Sequence, residues 1–155
     1  MKDLMIASGL FLSLIFLGKT VVAQTVRNLK QEEANKKLVE KFFYTFYNEK
    51  DLEKASQMMH KDFINHHPYS GAGIEGTIEA VNKHLFGKHP AFKVFIKRIA
   101  AECDLVWIQC YTQNDPNDHG NMSMDIWRVK DGKIAEHWDI IQPVPADIDP
   151  ASMYN

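Results

Sequence analysis

The chain has 155 residues, of which 45% are hydrophobic, 11% aromatic and 25% charged. These fractions are close to the average for a soluble globular domain, and they exclude a disordered tail and a collagen-like repeat. With 18 basic and 20 acidic residues, the formal net charge of −2 gives no electrostatic reason to expect a nucleic-acid partner. Two cysteines are too few for a disulfide scaffold, and the length predicts one domain.

The N-terminal segment has the pattern of a secretory signal peptide. Lys2 begins it, an apolar run occupies 6–17, and Ala23 ends it at a small-residue cleavage position. The run has about 12 residues, short of the roughly 20 that span a bilayer, which argues against an uncleaved anchor. We therefore expect an exported protein, periplasmic or secreted and without a stable membrane anchor, divided into a signal peptide (1–23), a single domain (24–145) and an irregular tail (146–155).

The two cysteines are expected to stay free thiols. Cys103 and Cys110 would lie roughly 23 Å apart on one extended strand, whereas the Cα atoms of a disulfide approach within about 7 Å. Cys103 sits in a predicted turn and Cys110 in a predicted strand, and neither has the surroundings of a nucleophile.

The first half of the mature chain has the periodicity of helices. Apolar residues recur every three or four positions over 28–47, which marks one face of an amphipathic helix. Asp51 then has the position of an N-cap for a short second helix. The glycine-containing stretch 70–73 is predicted as a loop, and a third helix is expected from about Thr77 to Phe86.

After Pro90 the apolar period changes from about 3.6 to 2, the pattern of strands. Strands are predicted over 94–99, 105–113, 122–130 and 133–142, with a tight hairpin between the last two. Helices followed by antiparallel strands indicate an α+β fold. A long sheet can bury one apolar face by curving around the helices, which produces a cone with a ligand pocket at its open end.

The register of the last hairpin decides which polar groups meet. A three-residue loop with a bulge, which we favour, pairs Asp125 with His137, whereas a two-residue loop would pair Asp125 with Trp138. Strand alternation in the favoured register places one set of side chains on a single face: Asp125, Trp127, Val129, His137, Asp139 and Ile141. An aspartate beside a histidine between apolar walls is an acid/base candidate, and a purely structural buried pair is the alternative.

His66 and His67 form a second polar cluster before Pro68, which forces an extended backbone at His67. Alternation places one ring inward and one outward, and the sequence leaves open which. Either histidine with His137 and an aspartate would make a metal site, but the ligands would come from separate elements without a signature spacing. We therefore predict no metal and no cofactor.

The segments 125–129, 131–134 and 136–139 resemble the C-terminal hairpin of SnoaL-like polyketide-cyclase proteins, which belong to the nuclear-transport-factor-2-like superfamily. The aromatic first helix, the segment 48–51, the segment 66–68 and the strand 96–99 follow in the same order, so that the resemblance covers about 35–145. It implies a cone-shaped α+β fold, with a curved antiparallel sheet wrapped around three N-terminal helices. It also implies a homodimer that forms through the sheet.

The resemblance implies chemistry at Asp125 above all. In SnoaL-like cyclases an aspartate on this strand is the acid/base for an intramolecular aldol closure. Ketosteroid isomerase, of the same fold, keeps a protonated aspartate in an apolar site, and Asp125 matches that donor. The general-base aspartate of that enzyme falls at His67 here, and its oxyanion tyrosine falls near Phe43.

Three functions are open on the sequence: a cofactor-free acid/base enzyme acting on a small apolar carbonyl or enol compound, a non-catalytic module that binds such a ligand, and a dimeric interaction protein with a filled pocket. For the enzyme, the reaction is an aldol-type cyclisation, an isomerisation or a dehydration. The predicted catalytic residues are Asp125, His137 and His66 or His67, and the predicted substrate-binding residues are Phe43, Tyr47, Trp107, Trp127, Asp139 and Ile141.

Overall fold

The structure, a computed structural model, describes residues 27–155. The predicted signal peptide lies outside the described residues. In the part of the chain that is described, no helix is both long and apolar enough to cross a membrane. Both cysteines are free, as predicted.

Two helical segments precede the sheet. Helix α1 (Leu29–Phe43) begins at Asn28, whose side chain accepts a hydrogen bond from the backbone N–H of Gln31, and continues as a π-helical segment (Tyr44–Glu49). Asp51 caps α2 (Leu52–Ser56), as predicted, by accepting from the backbone N–H of Lys54.

Helix α3 (Gly73–Val81) begins four residues before the predicted start at Thr77 and continues as a second π-helical segment (Asn82–Phe86). The prediction of a loop through 73 is wrong at its last residue because Gly73, with a φ of +64°, leads directly into the first turn. Gly71 and Gly76 pack backbone to backbone, and a Cβ on Gly71 would lie 2.5 Å from the Gly76 carbonyl oxygen. This contact folds the preceding loop back onto the helix.

Five strands form one mixed sheet in the order β1-β5-β4-β3-β2. Strand β1 is parallel to β5, and the other neighbours are antiparallel. The sequence predicted the last four strands but not β1 as a member of the sheet. The strand bounds are β1 (Met59–Asn65), β2 (Lys93–Glu102), β3 (Leu105–Gln113), β4 (Asn121–Lys130) and β5 (Lys133–Pro143).

The core lies between the helices and the concave face of the sheet. Phe42 and Phe43 of α1 pack edge-on against Trp127 of β4, with ring centroids 5.1 and 6.3 Å away. Both phenylalanines and Trp127 are almost completely buried, so that the aromatic face of α1 holds the curved sheet. This arrangement is the predicted α+β cone.

The hairpin between β4 and β5 has a register that differs from both predicted alternatives. Asp131 and Gly132, with φ values of 51° and 70°, form a two-residue turn that pairs Lys130 with Lys133. A bulge then shifts the pairing, so that Asp125 lies opposite Asp139. The predicted pairing of Asp125 with His137 is therefore wrong by two residues.

A shift of two residues preserves strand alternation. Trp127 now pairs with His137, and the predicted set of side chains still shares the concave face. The tail, predicted as irregular, contains a short 3-10 helix (Pro150–Met153), and its Tyr154 packs against Tyr111 of β3.

Candidate functional site

A cavity of about 560 Å³ opens between the concave face of the sheet and helices α1 and α3. One wall is apolar and includes Phe43, Leu85 and Phe92. The opposite wall carries the polar ends of β1, β4 and β5. A mixed wall of this kind suits a ligand with an apolar body and a few polar groups.

Asp125 and His137 lie in the polar wall and are 5% and 3% exposed. His137 Nε2 lies 3.1 Å from Asp125 Oδ1, because the two residues are diagonal neighbours across β4 and β5. Ser123 donates to Asp125 Oδ2 at 2.8 Å, and the Cys110 thiol donates to the same oxygen at 3.3 Å. The ring of His137 stacks on Trp127 with centroids 3.9 Å apart. Both oxygens of the Asp125 carboxyl group thus have polar partners in the protein, Oδ1 in His137 and Oδ2 in Ser123 and Cys110.

Asn65, at the end of β1, completes the contacts of His137. Its Oδ1 lies 3.0 Å from His137 Nδ1 and accepts from the backbone N–H of His67 at 3.0 Å. Sequence reasoning missed Asn65 because the parallel pairing of β1 with β5, which brings it opposite His137, has no local signal in the chain.

His67 and Asp139 form a second pair on the same wall. His67 Nδ1 lies 2.9 and 2.8 Å from the two carboxylate oxygens. The hydrogen bond to Asp139 raises the pKa of His67 above its ordinary value, against the opposing effect of burial. Burial tends to raise the pKa of Asp139, but the hydrogen bond from His67 and the charges of both histidines outweigh it, and the pKa of Asp139 falls. The pair therefore favours an imidazolium beside a carboxylate.

Tyr47 and Cys110 present neutral groups to the cavity. Burial, followed by the nearby charges of Asp125 and Asp139, raises the pKa of Tyr47 well above its ordinary value. Burial and the charge of Asp125 also raise the pKa of Cys110. Both side chains therefore stay protonated. The Cys110 thiol donates to Asp125 and is not a thiolate nucleophile, and the Tyr47 hydroxyl keeps a proton that it could donate to a ligand.

Most of the predicted site residues meet at this cavity. Asp125, His137 and His67 line it, together with four of the predicted substrate-binding residues: Phe43, Tyr47, Asp139 and Ile141.

Three predicted site residues lie elsewhere. His66 stacks on Trp138, with centroids 4.6 Å apart, on the convex side of the sheet. Trp107 pairs with Ile126 and points to the same convex side, because it is out of phase with the inward residues of β3. Trp127 faces inward, but it lies beneath the His137 ring and the phenylalanines of α1 rather than at the cavity surface.

Asp125, His137 and Asp139 could hold a metal ion, since one ligand atom from each lies within 4.8 Å of the others. Each of the three already has a protein partner, however: Asp125 contacts His137, and both oxygens of Asp139 contact Nδ1 of His67. The geometry is that of two carboxylate–imidazole pairs side by side.

A family model described as a SnoaL-like domain matches residues 39–137. A search of curated proteins finds no significant match. Among solved structures, a proposed polyketide cyclase from Bacillus cereus ATCC 10987 is 23% identical, with a TM-score of 0.61, over 74% of this chain and 78% of its own.

Two further solved structures share the fold. A proposed ketosteroid isomerase from Kribbella flavida DSM 17836 is 14% identical, with a TM-score of 0.60, over 77% of this chain and 96% of its own. An LEH-like epoxide hydrolase from M. tuberculosis is 20% identical, with a TM-score of 0.58, over 72% of this chain and 85% of its own. These likenesses concern the fold.

Proposed function

Because the chain belongs to the SnoaL-like family, we propose that it is a cofactor-free general acid/base enzyme that acts on a small apolar carbonyl or enol compound. The observation that supports this proposal is the buried Asp125–His137 pair, which lies in the polar wall of a cavity whose other wall is apolar. A second pair, His67–Asp139, faces the same space. An aldol-type cyclisation, an isomerisation and a dehydration all proceed through an enol or enolate, which needs one base and one acid.

The two pairs suit different roles. The carboxylate of Asp125 takes a proton from the carbon next to the substrate carbonyl, and the imidazolium of His67, favoured by Asp139, donates a proton to the carbonyl oxygen. The neutral hydroxyl of Tyr47 supplies a further donor to that oxygen. His137 holds Asp125 in place and shares its proton. In the reverse direction the same groups return the protons, so that no cofactor is consumed.

Proton exchange tests this proposal before the natural substrate is identified. A panel of apolar cyclic ketones and diketones is incubated with the protein in D₂O, and the loss of the proton signals beside the carbonyl is followed by NMR. Asp125→Asn keeps the shape of the side chain and removes the base, so we expect exchange to slow by about 10²- to 10⁴-fold. Asp147→Asn, in the exposed tail, is the matched control.

A loss of exchange rate well below tenfold in Asp125→Asn would contradict the mechanism.

The alternative function is a non-catalytic binding module. One observation favours it: Asp125 already has hydrogen-bond partners in His137, Ser123 and Cys110. A binding module predicts that ligands protect the protein from thermal unfolding without exchanging protons. In that case Asp125→Asn would change the affinity for the ligand, and there would be no proton exchange for it to slow.

We also propose, from the N-terminal sequence, that the protein is exported and cleaved after Ala23. Intact mass measurement of protein recovered from the exported fraction tests this: the chain should begin at Gln24. A native mass spectrum of the same sample reports whether an organic ligand stays bound and whether the protein is a dimer. A chain that still begins at Met1 in a membrane fraction would favour an uncleaved anchor.

A further inference from the structure

Asn65 has contacts that the proposed mechanism does not use. It ends β1 directly opposite His137 of β5, and its side chain reaches the histidine ring. The same amide oxygen accepts from the backbone N–H of His67, and the amide nitrogen faces the hydroxyl of Thr77 at 3.5 Å. The amide is therefore held on both sides.

These contacts fix which end of the amide faces His137. A backbone N–H can only donate, so the atom 3.0 Å from the backbone nitrogen of His67 must be the oxygen of Asn65. That oxygen also lies 3.0 Å from His137 Nδ1. An unprotonated Nδ1 would place two lone pairs in contact, so Nδ1 must carry a proton.

The other ring nitrogen, Nε2, faces the carboxyl group of Asp125. His137 Nε2 lies 3.1 Å from Asp125 Oδ1, and two acceptors would repel at this distance. A second proton therefore lies in this contact, either on Nε2 beside an ionised carboxylate or on Oδ1 beside a neutral ring. In both cases Nδ1 keeps its own proton.

We propose that Asn65 is a positioning residue that holds one proton on Nδ1 of His137 and so confines the exchangeable proton of the Asp125–His137 pair to the Nε2–Oδ1 contact at the cavity wall. This inference deepens the proposed function of the same site. Without Asn65 the neutral ring would be free to take the Nε2–H form, which is the commoner form of neutral histidine in water. Its Nε2 would then be unable to accept a proton from Asp125.

Histidine ring NMR tests this directly. Protein labelled with ¹⁵N-histidine is studied by long-range ¹H–¹⁵N correlation across the pH range in which it is folded, and His137→Gln assigns the His137 signals. In the wild type, Nδ1 of His137 should show the shift of a protonated nitrogen at every pH, and any loss of a proton at high pH should occur at Nε2. Wild-type spectra with an unprotonated Nδ1 would overturn the proposal.

Variants isolate the contribution of Asn65. Asn65→Ala removes the acceptor, and its neutral His137 should change to the Nε2–H form. Asn65→Asp keeps an oxygen at the same position and should retain the proton on Nδ1. Asn121→Ala removes another cavity-lining amide, on β4, and should give the wild-type pattern.

An Asn65→Ala protein whose His137 keeps the wild-type form would overturn the role of Asn65. If the Asn65→Ala variant does not fold, the spectra of the wild type and of Asn65→Asp test the proposal instead. An unprotonated Nδ1 of His137 in either protein would contradict it. The measurement needs no substrate. Its failure is therefore distinguishable from failure of the proposed function, which is judged by proton exchange in Asp125→Asn.

Discussion

The ion pair of His67 and Asp139 joins the segment after β1 to β5. Its contribution to stability should fall both at high pH and at low pH. His67 has a raised pKa, so its share of the stability is complete below about pH 6.5 and is lost as pH rises through the raised value. Asp139 has a lowered pKa, so its share is complete above about pH 3.9 and is lost as pH falls through the lowered value. The interaction should be strongest between these limits.

A double-mutant cycle measures this interaction. His67→Gln, Asp139→Asn and the combined variant are unfolded with urea at about pH 5.5 and about pH 9, on either side of the ordinary histidine pKa. Because the His67 side chain is 42% exposed, we expect a coupling of no more than about 1 kcal/mol at the lower pH. The coupling should shrink at the higher pH. An equal coupling at both values would mean that the histidine does not carry charge in the pair.

Glu32 is a second buried carboxylate with a defined task. It accepts from Arg27 Nε at 2.9 Å and from the backbone N–H of Cys103 at 3.0 Å, and so ties α1 to the turn between β2 and β3. The hydrogen bond from Arg27, followed by that from Cys103, lowers the pKa of Glu32 from 4.5 to about 2. The stability it provides is present above pH 4.5 and is lost as pH falls toward 2.

We therefore expect Glu32→Gln to lower the melting temperature at neutral pH and to converge with the wild type as the pH approaches 2. Glu33→Gln is the matched control, because Glu33 is exposed and pairs with Lys36 of the same helix, and such exposed pairs contribute little. Circular dichroism melts across pH 2 to 7 give the comparison. A deficit that stays constant with pH would contradict the role of the ionised carboxylate.

At the scale of elements, two glycines occupy the same backbone region but differ in their surroundings. Gly132 in the hairpin turn has a φ of +70°, and a Cβ there would meet nothing within 4 Å. Gly120, just before β4, has a φ of +76°, and a Cβ there would lie 2.3 Å from the Thr112 carbonyl oxygen and 2.6 Å from the Tyr111 ring. An alanine would strain the backbone at both positions, but of the two only the alanine at 120 would also overlap with neighbouring atoms.

Gly132→Ala should therefore cost about 1 kcal/mol, the penalty for a left-handed residue with a Cβ. Gly120→Ala should cost clearly more, because the carbonyl it meets is fixed by the sheet. Urea unfolding of the two variants gives the comparison, and equal losses would show that the contacts around Gly120 relax without cost.

The elements also show which features of this fold a sequence can predict. The apolar periods over 28–47 and 122–130 predicted α1 and β4, because periodicity is a local property of the chain. The turn at 131–132 was recognised as a hairpin, and a bulge was predicted within its loop. The observed bulge lies farther along, as an extra residue of β5 between the partners of Arg128 and Val129, and no local pattern specifies that position. Strand β1 was missed as a sheet member because its partner, β5, is about 70 residues away.

Some residues of the site follow from local patterns in the sequence, and others depend on tertiary contacts. Alternation grouped Asp125, His137 and Asp139 on one face, and this grouping survived an error of two residues in the register. The choice between His66 and His67, and the presence of Asn65, depend on how β1 meets β5, which only the tertiary structure supplies. The prediction for Trp107 was wrong because the fully buried residues of β3, Val106, Ile108 and Cys110, are out of phase with it.

At the scale of the whole molecule, the convex face of the sheet carries apolar side chains that the described part of the chain leaves exposed. Met124 of β4 and Ile140 of β5 lie directly opposite each other and are 40% and 75% exposed. Phe95 of β2 is 42% exposed on the same face. Apolar area of this kind, flanked by charged groups such as Arg98 and Arg128, is typical of a protein interface. We propose that a second copy of the chain covers it.

A substitution in the centre of this face tests the homodimer. Ile140→Lys places a charge where a partner copy would have to desolvate it, and the matching position on the second copy doubles the penalty. We expect the variant to run as a monomer in analytical ultracentrifugation at concentrations where the wild type is a dimer. Leu29 lies at the start of α1 and is 70% exposed. The control variant Leu29→Lys should therefore remain a dimer under the same conditions. If the wild type is itself a monomer at high micromolar concentration, the convex face does not join two copies.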